Sequence, residues 1–316
     1  MATAFVFPGQ GSQAIGMGKA LRDNHAAARA VFAEVDDAIG QKLSDLIWHG
    51  PETDLTLTEN AQPALMAVSM AALRVLETEH GIQLAHTAKF VAGHSLGEYS
   101  ALAAAGTFSI GDTARLLKIR GKAMQSATPV GVGAMAALLG LDFATASLVA
   151  AEAAQGEVCQ AANDNSDGQV VVSGSKAAID RAIEIAKAKG AKRAILLTVS
   201  APFHCALMQP AADAMAKALS EVKMHAPSAP LVANVLASPI TDPAIIRQKL
   251  VEQVTGTVRW RESVAYMAAH GVKVFVEIGA GKVLTGLAKK NAPEALAMAC
   301  GTPEDIAAVA AHIKQG

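Results

Sequence analysis

Aromatic side chains are scarce in this chain of 316 residues. Phe, Trp and Tyr make up 4% of it, against 52% for hydrophobic residues as a whole. A core of any size must therefore come from Ala, Val, Leu and Ile, which suits a helix-rich α/β protein. The length exceeds a typical single domain and fits one large α/β unit with an insertion. Cysteine is sparse too. Cys159, Cys205 and Cys300 are odd in number and lack metal-ligand spacing, so neither a disulfide framework nor a zinc site is expected. Net charge is nearly absent, −1 at pH 7, which removes any general attraction for nucleic acid or anionic membrane. No uninterrupted apolar run reaches the roughly 18 residues of a membrane span. Thr3-Ala4-Phe5-Val6-Phe7 reads as a strand and lacks the basic and long apolar regions of a secretory signal. The expectation is a reduced, cytoplasmic protein without repeats or low-complexity tracts.

Among the features present, Gly93-His94-Ser95-Leu96-Gly97 stands out. It follows the apolar run Phe90-Val91-Ala92 and precedes an Ala-rich stretch, 98–105, that reads as a helix. Strand, tight turn and helix in that order form the setting of a nucleophile elbow, in which glycines tolerate backbone crowding and the serine hydroxyl is pushed outward. The plain alternative is a Gly/Ser turn without chemistry. A second glycine-rich turn, Phe7-Pro8-Gly9-Gln10-Gly11-Ser12-Gln13, also ends a strand. It does not fit a nucleotide site. Met17 and Gly18 stand where a phosphate loop needs Lys and Ser/Thr, and Ala14 replaces the third glycine of a dinucleotide fingerprint. It remains a loop able to present main-chain N–H groups to an anion.

Apolar periodicity predicts helices over 24–47, 64–80 and 110–126, the second opened by Asn60-Ala61-Gln62-Pro63. The rhythm changes after Thr128-Pro129-Val130-Gly131. Strands at 134–139, 158–162, 169–173 and 194–199 and helices at 143–155 and 176–189 give the order βαββαβ, a ferredoxin-like split unit. The turn-rich segment 163–168 joins its middle strands. The large unit resumes with helices at 206–222, 245–254 and 259–270 and a strand at 231–234. A β-branched strand at 273–278 then runs through Gly279-Ala280-Gly281 into a helix at 283–290. Repeated strand–turn–helix units predict a largely parallel sheet with helices on its faces and ligands beyond the carboxyl ends of the strands. The expected fold class is α/β. A large α/β hydrolase-like domain spans 1–130 and 200–316, and a small ferredoxin-like subdomain spans 131–199.

A serine hydroxyl needs a base within hydrogen-bond reach. Of nine histidines, His204 is the candidate, because it follows a strand end where the small unit hands back to the large one and Pro202 restrains the backbone. A purely structural histidine is the competing reading. His94 should point the other way from Ser95 and pack. Cys205 is a rival nucleophile with no base of its own. Asp112, Asp142 and Asp180 look like helix-start residues, so no carboxylate offers itself as the third member of a triad. Arg120 suits a buried clamp for a carboxylate, or else a solvated face shared with Arg115 and Lys118.

Taken together, Phe7–Gln13, Gly93–Glu98, Arg120-Gly121-Lys122-Ala123-Met124-Gln125, Ala161-Ala162-Asn163-Asp164-Asn165 and Phe203-His204 resemble, in order, the malonyl-CoA:acyl-carrier-protein transacylases, relatives of polyketide synthase acyltransferase domains. The likeness runs from about Phe5 to Leu287. It implies an acyltransferase of fatty-acid synthesis without bound cofactor. Malonyl-CoA would be the donor, and the phosphopantetheine of acyl carrier protein the acceptor. Ser95 would carry the malonyl group, with His204 as base and Gln253 orienting it through a carbonyl. The N–H groups of Gln10 and Leu96 would form the oxyanion hole, and Arg120 would hold the malonyl carboxylate. Phe203 resembles the malonyl-selective members. Lys187, Lys189, Lys192 and Arg193 form a basic cluster that would meet an acidic carrier protein, although cations at a helix C-terminus need no partner. An esterase or thioesterase would share the elbow but would have little use for Arg120. A non-catalytic carrier-binding module would have lost the serine or the base.

Overall fold

The first strand, β1 (Thr3–Phe7), is buried along its whole length. The computed structural model describes residues 2–129 and 131–315, so the boundary expected at Val130 lies outside the described residues. Alternation assigns the side chains of β1. Phe5 and Phe7 enter one core beneath the long helix Thr58–His80, while Ala4 and Val6 enter a second around Trp260 and Val264. A strand apolar on both faces belongs in the middle of a helix-covered sheet. β1 indeed lies there, parallel to β2 (Ala88–Gly93), with Phe7 opposite Gly93.

The chain then forms the small unit: β3 (Gly133–Leu139), the helix Phe143–Ala154, β4 (Cys159–Ser166), β5 (Gln169–Ser175), the helix Lys176–Ala188 and β6 (Arg193–Leu196). These strands make a separate antiparallel sheet in the order β4-β5-β3-β6. Ala134, Ala136, Leu138, Val170 and Val172 build its own core, whereas Met135 and Val171 on the opposite face join the main one.

The large sheet is completed by β7 (Leu231–Val232), β8 (Pro239–Ile240), β9 (Val274–Ile278) and β10 (Leu296–Cys300), giving the order β10-β9-β1-β2-β7-β8. All its pairings are parallel except β7–β8. Among the described residues no helix is long and apolar enough to cross a membrane.

Four expectations need correction. The helix expected over 24–47 breaks at Gly40, whose φ of 62° ends Ala26–Ile39, and a new helix begins at Leu43. The Thr58–His80 helix starts before Asn60, so Pro63 lies inside it. The segment 163–168 is not a long turn. β4 continues to Ser166, and only Asp167-Gly168 turn. The Asp164 N–H donates to the Val258 carbonyl at 2.9 Å, and Arg261 grips its carboxylate, so partners in the large unit override the turn preference of Asn and Asp. Finally, β10 and the helix Pro303–Gln315 are not anticipated by the sequence pattern. Leu296-Ala297-Met298-Ala299-Cys300 has no β-branched residue, and it becomes a strand by pairing with β9 at the sheet edge.

Candidate active site

The elbow is set by contacts that admit no side chain. A Cβ on Gly93 would lie 1.9 Å from the Gly97 carbonyl carbon, and one on Gly97 would lie 2.2 Å from the Phe7 oxygen. β1, the turn and the following helix Gly97–Ala104 therefore touch backbone to backbone. The His94 N–H donates to the Phe7 carbonyl at 3.0 Å, and Ser95 is held at φ 53°, in the left-handed region. Strain of this kind persists only where neighbours over-determine it. Here Asn234, two residues beyond the later strand β7 (Leu231–Val232), accepts from the Ser95 N–H at 2.8 Å and donates to the Gly93 carbonyl at 2.7 Å.

His204 reaches the serine from the segment that follows the small unit. Its Nε2 lies 2.8 Å from Ser95 Oγ and its Nδ1 2.8 Å from the main-chain carbonyl of Gln253. A carbonyl can only accept, so Nδ1 carries the proton and Nε2 is left as the basic nitrogen facing the hydroxyl. His204 is buried and also has a positive φ, 57°. Burial, helped by the charge of Arg120, pushes its pKa down to about 3, so the ring is neutral at ordinary pH.

Arg120 is buried as well. Its Nη1 donates to Gln62 Oε1 at 2.8 Å, and its Nη2 donates to Gln253 Oε1 at 2.9 Å and to Ser95 Oγ at 3.1 Å. Neutral amides hold this guanidinium, with no carboxylate among its hydrogen-bond partners in the described residues. Burial lowers its pKa, and nearby Tyr99 and Glu98 work against that.

These groups open on a cleft of about 520 Å³ lined also by Gln10, Met135, Asn163, Ser200 and Phe203. There Met135 and Asn163 of the small sheet meet Gln10 and His94, which lie just beyond β1 and β2 of the large one. Among the described residues, neither the Gln10 nor the Leu96 main-chain N–H takes part in a turn or loop hydrogen bond. Ser95, His204, Arg120 and Gln253 are thus brought together, with Gln10 at the same cleft, whereas Leu96 follows Ser95 in the chain but is buried and off the cleft lining.

Other candidates fall away. Cys205 is buried, its thiol donates to the Pro202 carbonyl at 3.2 Å, and burial pushes its pKa up. His94 lines the cleft, but its ring is bonded to Asn165 Oδ1 at 2.8 Å and lies 5.7 Å from the Trp260 ring. Asp112 and Asp142 serve helix starts as expected. Asp180 lies inside its helix and pairs with Lys176, which corrects the expectation for it. The sequence pattern did not single out two further residues of the site, Asn234 and Glu98. A polar residue at a strand's carboxyl end and a carboxylate opening an otherwise apolar helix were the available signals. Among the described residues no group of three or more His, Cys, Asp or Glu is placed to hold a metal ion.

An α/β fold with a serine at a strand–helix elbow, a neutral imidazole on it and an arginine beside it fits a class, the acyl-transferring enzymes. The chain belongs to a particular family within that class. Residues 4–303 match the acyl transferase domain, and the protein is an acyltransferase. The malonyl CoA-acyl carrier protein transacylase of Escherichia coli (strain K12) is 47% identical over 305 residues, covering 96% of this chain and 97% of that one. The structure of an acyl-carrier-protein-S-malonyltransferase from Bartonella henselae has a TM-score of 0.97 at 57% identity, covering 99% of this chain and 100% of that one. A malonyl-transacylase solved in complex with its type II PKS acyl-carrier protein has a TM-score of 0.95 at 42% identity, covering 99% and 100%.

Proposed function

We propose that the protein moves the malonyl group from malonyl-CoA to the phosphopantetheine thiol of acyl carrier protein in fatty-acid synthesis, by a ping-pong route through malonyl-Ser95. The observation that carries this reading is Arg120, a buried cation held by amides with Nη2 3.1 Å from the nucleophile. A fixed guanidinium there suits an acyl group that ends in a carboxylate, and the names of the relatives point the same way. His204 Nε2 takes the Ser95 proton as Oγ attacks the thioester carbon. The oxyanion is received by the Gln10 and Leu96 N–H groups, and CoA leaves as a thiol with the proton from His204. The carrier thiol then attacks the serine ester, and the proton travels the same path in reverse. No bound cofactor enters these steps.

On the same reading, the parts of the large sheet form a hydrolase-like catalytic domain (1–130 and 200–316). Residues 131–199 are a ferredoxin-like insertion, supported by the order β4-β5-β3-β6. A cytoplasmic setting accords with three free, buried cysteines.

Intact-mass measurement with malonyl-CoA tests the route. A malonyl adduct that is chased by carrier protein supports transfer, whereas rapid release of free malonate would indicate a thioesterase. Arg120→Ala should cut the preference for malonyl-CoA over acetyl-CoA about a hundredfold, since losing one partner of a buried charge pair costs ~2–5 kcal/mol. An unchanged ratio would remove Arg120 from this role. Including methylmalonyl-CoA in the same assay tests Phe203, which lines the cleft. Equal kcat/KM for malonyl and methylmalonyl donors would refute selection by its ring.

Of the basic cluster, Lys187 and Lys189 are paired with Glu184 and Glu152 at 2.7 and 3.0 Å. Lys192 and Arg193 are exposed at the start of β6, whose far end leads into the cleft. Reversing both charges (Lys192→Glu with Arg193→Glu) should raise KM for carrier protein about tenfold and leave acylation by malonyl-CoA alone unchanged. Equal carrier KM values would move the docking site elsewhere.

A further inference from the structure

Glu98 is buried in the first turn of the elbow helix, under the active site, and takes no part in the steps above. Its Oε2 accepts from Gln253 Nε2 at 2.7 Å and from the Asn234 N–H at 3.2 Å. Its Oε1 has no hydrogen-bond partner among the described residues. A buried carboxylate with one bare oxygen is a costly component, and burial pushes its pKa up to about 7.

The geometry around Gln253 shows what it does. That side chain has one donor end and one acceptor end, and every neighbour constrains which is which. Gln253 Nε2 faces Glu98 and the Ser95 carbonyl at 3.0 Å, with Asn234 Oδ1 at 3.3 Å. Three oxygens converge on the nitrogen, and that of Glu98 bears charge once the group ionises, above pH about 7. The amide oxygen is therefore turned to Arg120 Nη2 at 2.9 Å. The same residue offers its main-chain carbonyl to His204, so one amide side chain and one backbone carbonyl serve the arginine and the base together.

We infer that Glu98 is a positioning residue: its carboxylate fixes the polarity of the Gln253 amide and thereby holds the Arg120 guanidinium where the donor's carboxylate must dock. The inference rests on the reading of Arg120 as the malonyl partner. Its consequence is selectivity. Loss of the Glu98 charge weakens the grip on Gln253, loosens Arg120, and acts on carboxylated donors more than on neutral ones. A residue that only supported the fold would lower both alike.

The test measures kcat and KM for acylation of the intact enzyme by malonyl-CoA and by acetyl-CoA at about pH 8, above the raised pKa of Glu98. Glu98→Gln, which preserves shape and can still accept the Gln253 and Asn234 N–H groups, should lower malonyl kcat/KM about tenfold, mostly through KM. Acetyl kcat/KM should change less than about twofold. An unchanged malonyl/acetyl ratio, or an equal fall for both donors, would overturn the inference. Gln253→Met, which keeps the main-chain carbonyl for His204 but deletes the amide bridge, should shift the ratio the same way. That second variant decides the matter if Glu98→Gln does not fold, and an unchanged ratio there overturns the inference equally. Arg120→Ala separates the two readings. If its ratio does not move, the assignment of Arg120 fails. If it moves while both bridge variants keep the wild-type ratio, only the role of Glu98 fails.

Discussion

Ser95→Ala should abolish the acyl-enzyme, and His204→Ala should slow its formation by about 10⁴-fold or more, as intact mass and transfer to carrier protein would show. The fold should survive the first change. Alanine at φ 53° is no more strained than serine, and the Asn234 bond to the residue-95 N–H does not involve the side chain. Arg120 loses one acceptor but keeps Gln62 and Gln253. Removing His204 leaves the hydroxyl without the base that lies 2.8 Å away. Because the two act as one unit, the double variant should be no worse than Ser95→Ala alone. An adduct persisting in Ser95→Ala would point to another nucleophile. Buried Cys205, with its pKa pushed up, is poorly suited to be that group.

The second large effect is on stability. Gly93→Ala should destabilise the protein by more than about 4 kcal/mol or prevent folding. Its new Cβ would lie 1.9 Å from the Gly97 carbonyl carbon and oxygen, and these are backbone atoms that cannot swing aside. Relief requires opening the turn, which separates β2 from the Gly97–Ala104 helix and carries Ser95 away from His204. Gly286 supplies the control. It lies in the helix Val283–Asn291, and a Cβ there would meet no atom of a neighbouring segment within 4 Å. Gly286→Ala should therefore stabilise by about 0.5–1 kcal/mol through helix propensity. Urea midpoints of the two variants check both statements. A wild-type midpoint for Gly93→Ala would contradict the close backbone approach at the elbow.

Legibility in the sequence followed how local each signal was. Ser95 was readable because an elbow is a local object: its strand, its glycines and its helix are contiguous. For Arg120 the sequence admits two readings, a clamp and a solvated face, which helical geometry separates. Residues 115 and 122 fall on nearly the same side of a helix, whereas 120 is rotated about 140° from 115. The structure agrees, since Arg115 is exposed and pairs with Asp112 while Arg120 is buried. β10 was missed because its residues carry little strand preference and pairing alone makes it a strand. Asn234 and Glu98 were missed because their partners lie 139 and 155 positions away along the chain.

The order of residues alone specifies the alternating α/β plan, the βαββαβ order of the small unit, the aliphatic core and a serine at a strand–helix turn. These depend on periodicity, glycine and contiguity. Long-range contacts are what put the His204 proton on Nδ1, hold Arg120 between two amides beside the serine, and join base, arginine and Glu98 through Gln253. Each of those depends on burial and on hydrogen bonds between distant segments. Removal from water shifts the pKa values, and convergence of far-apart residues sets which end of each amide faces the reaction.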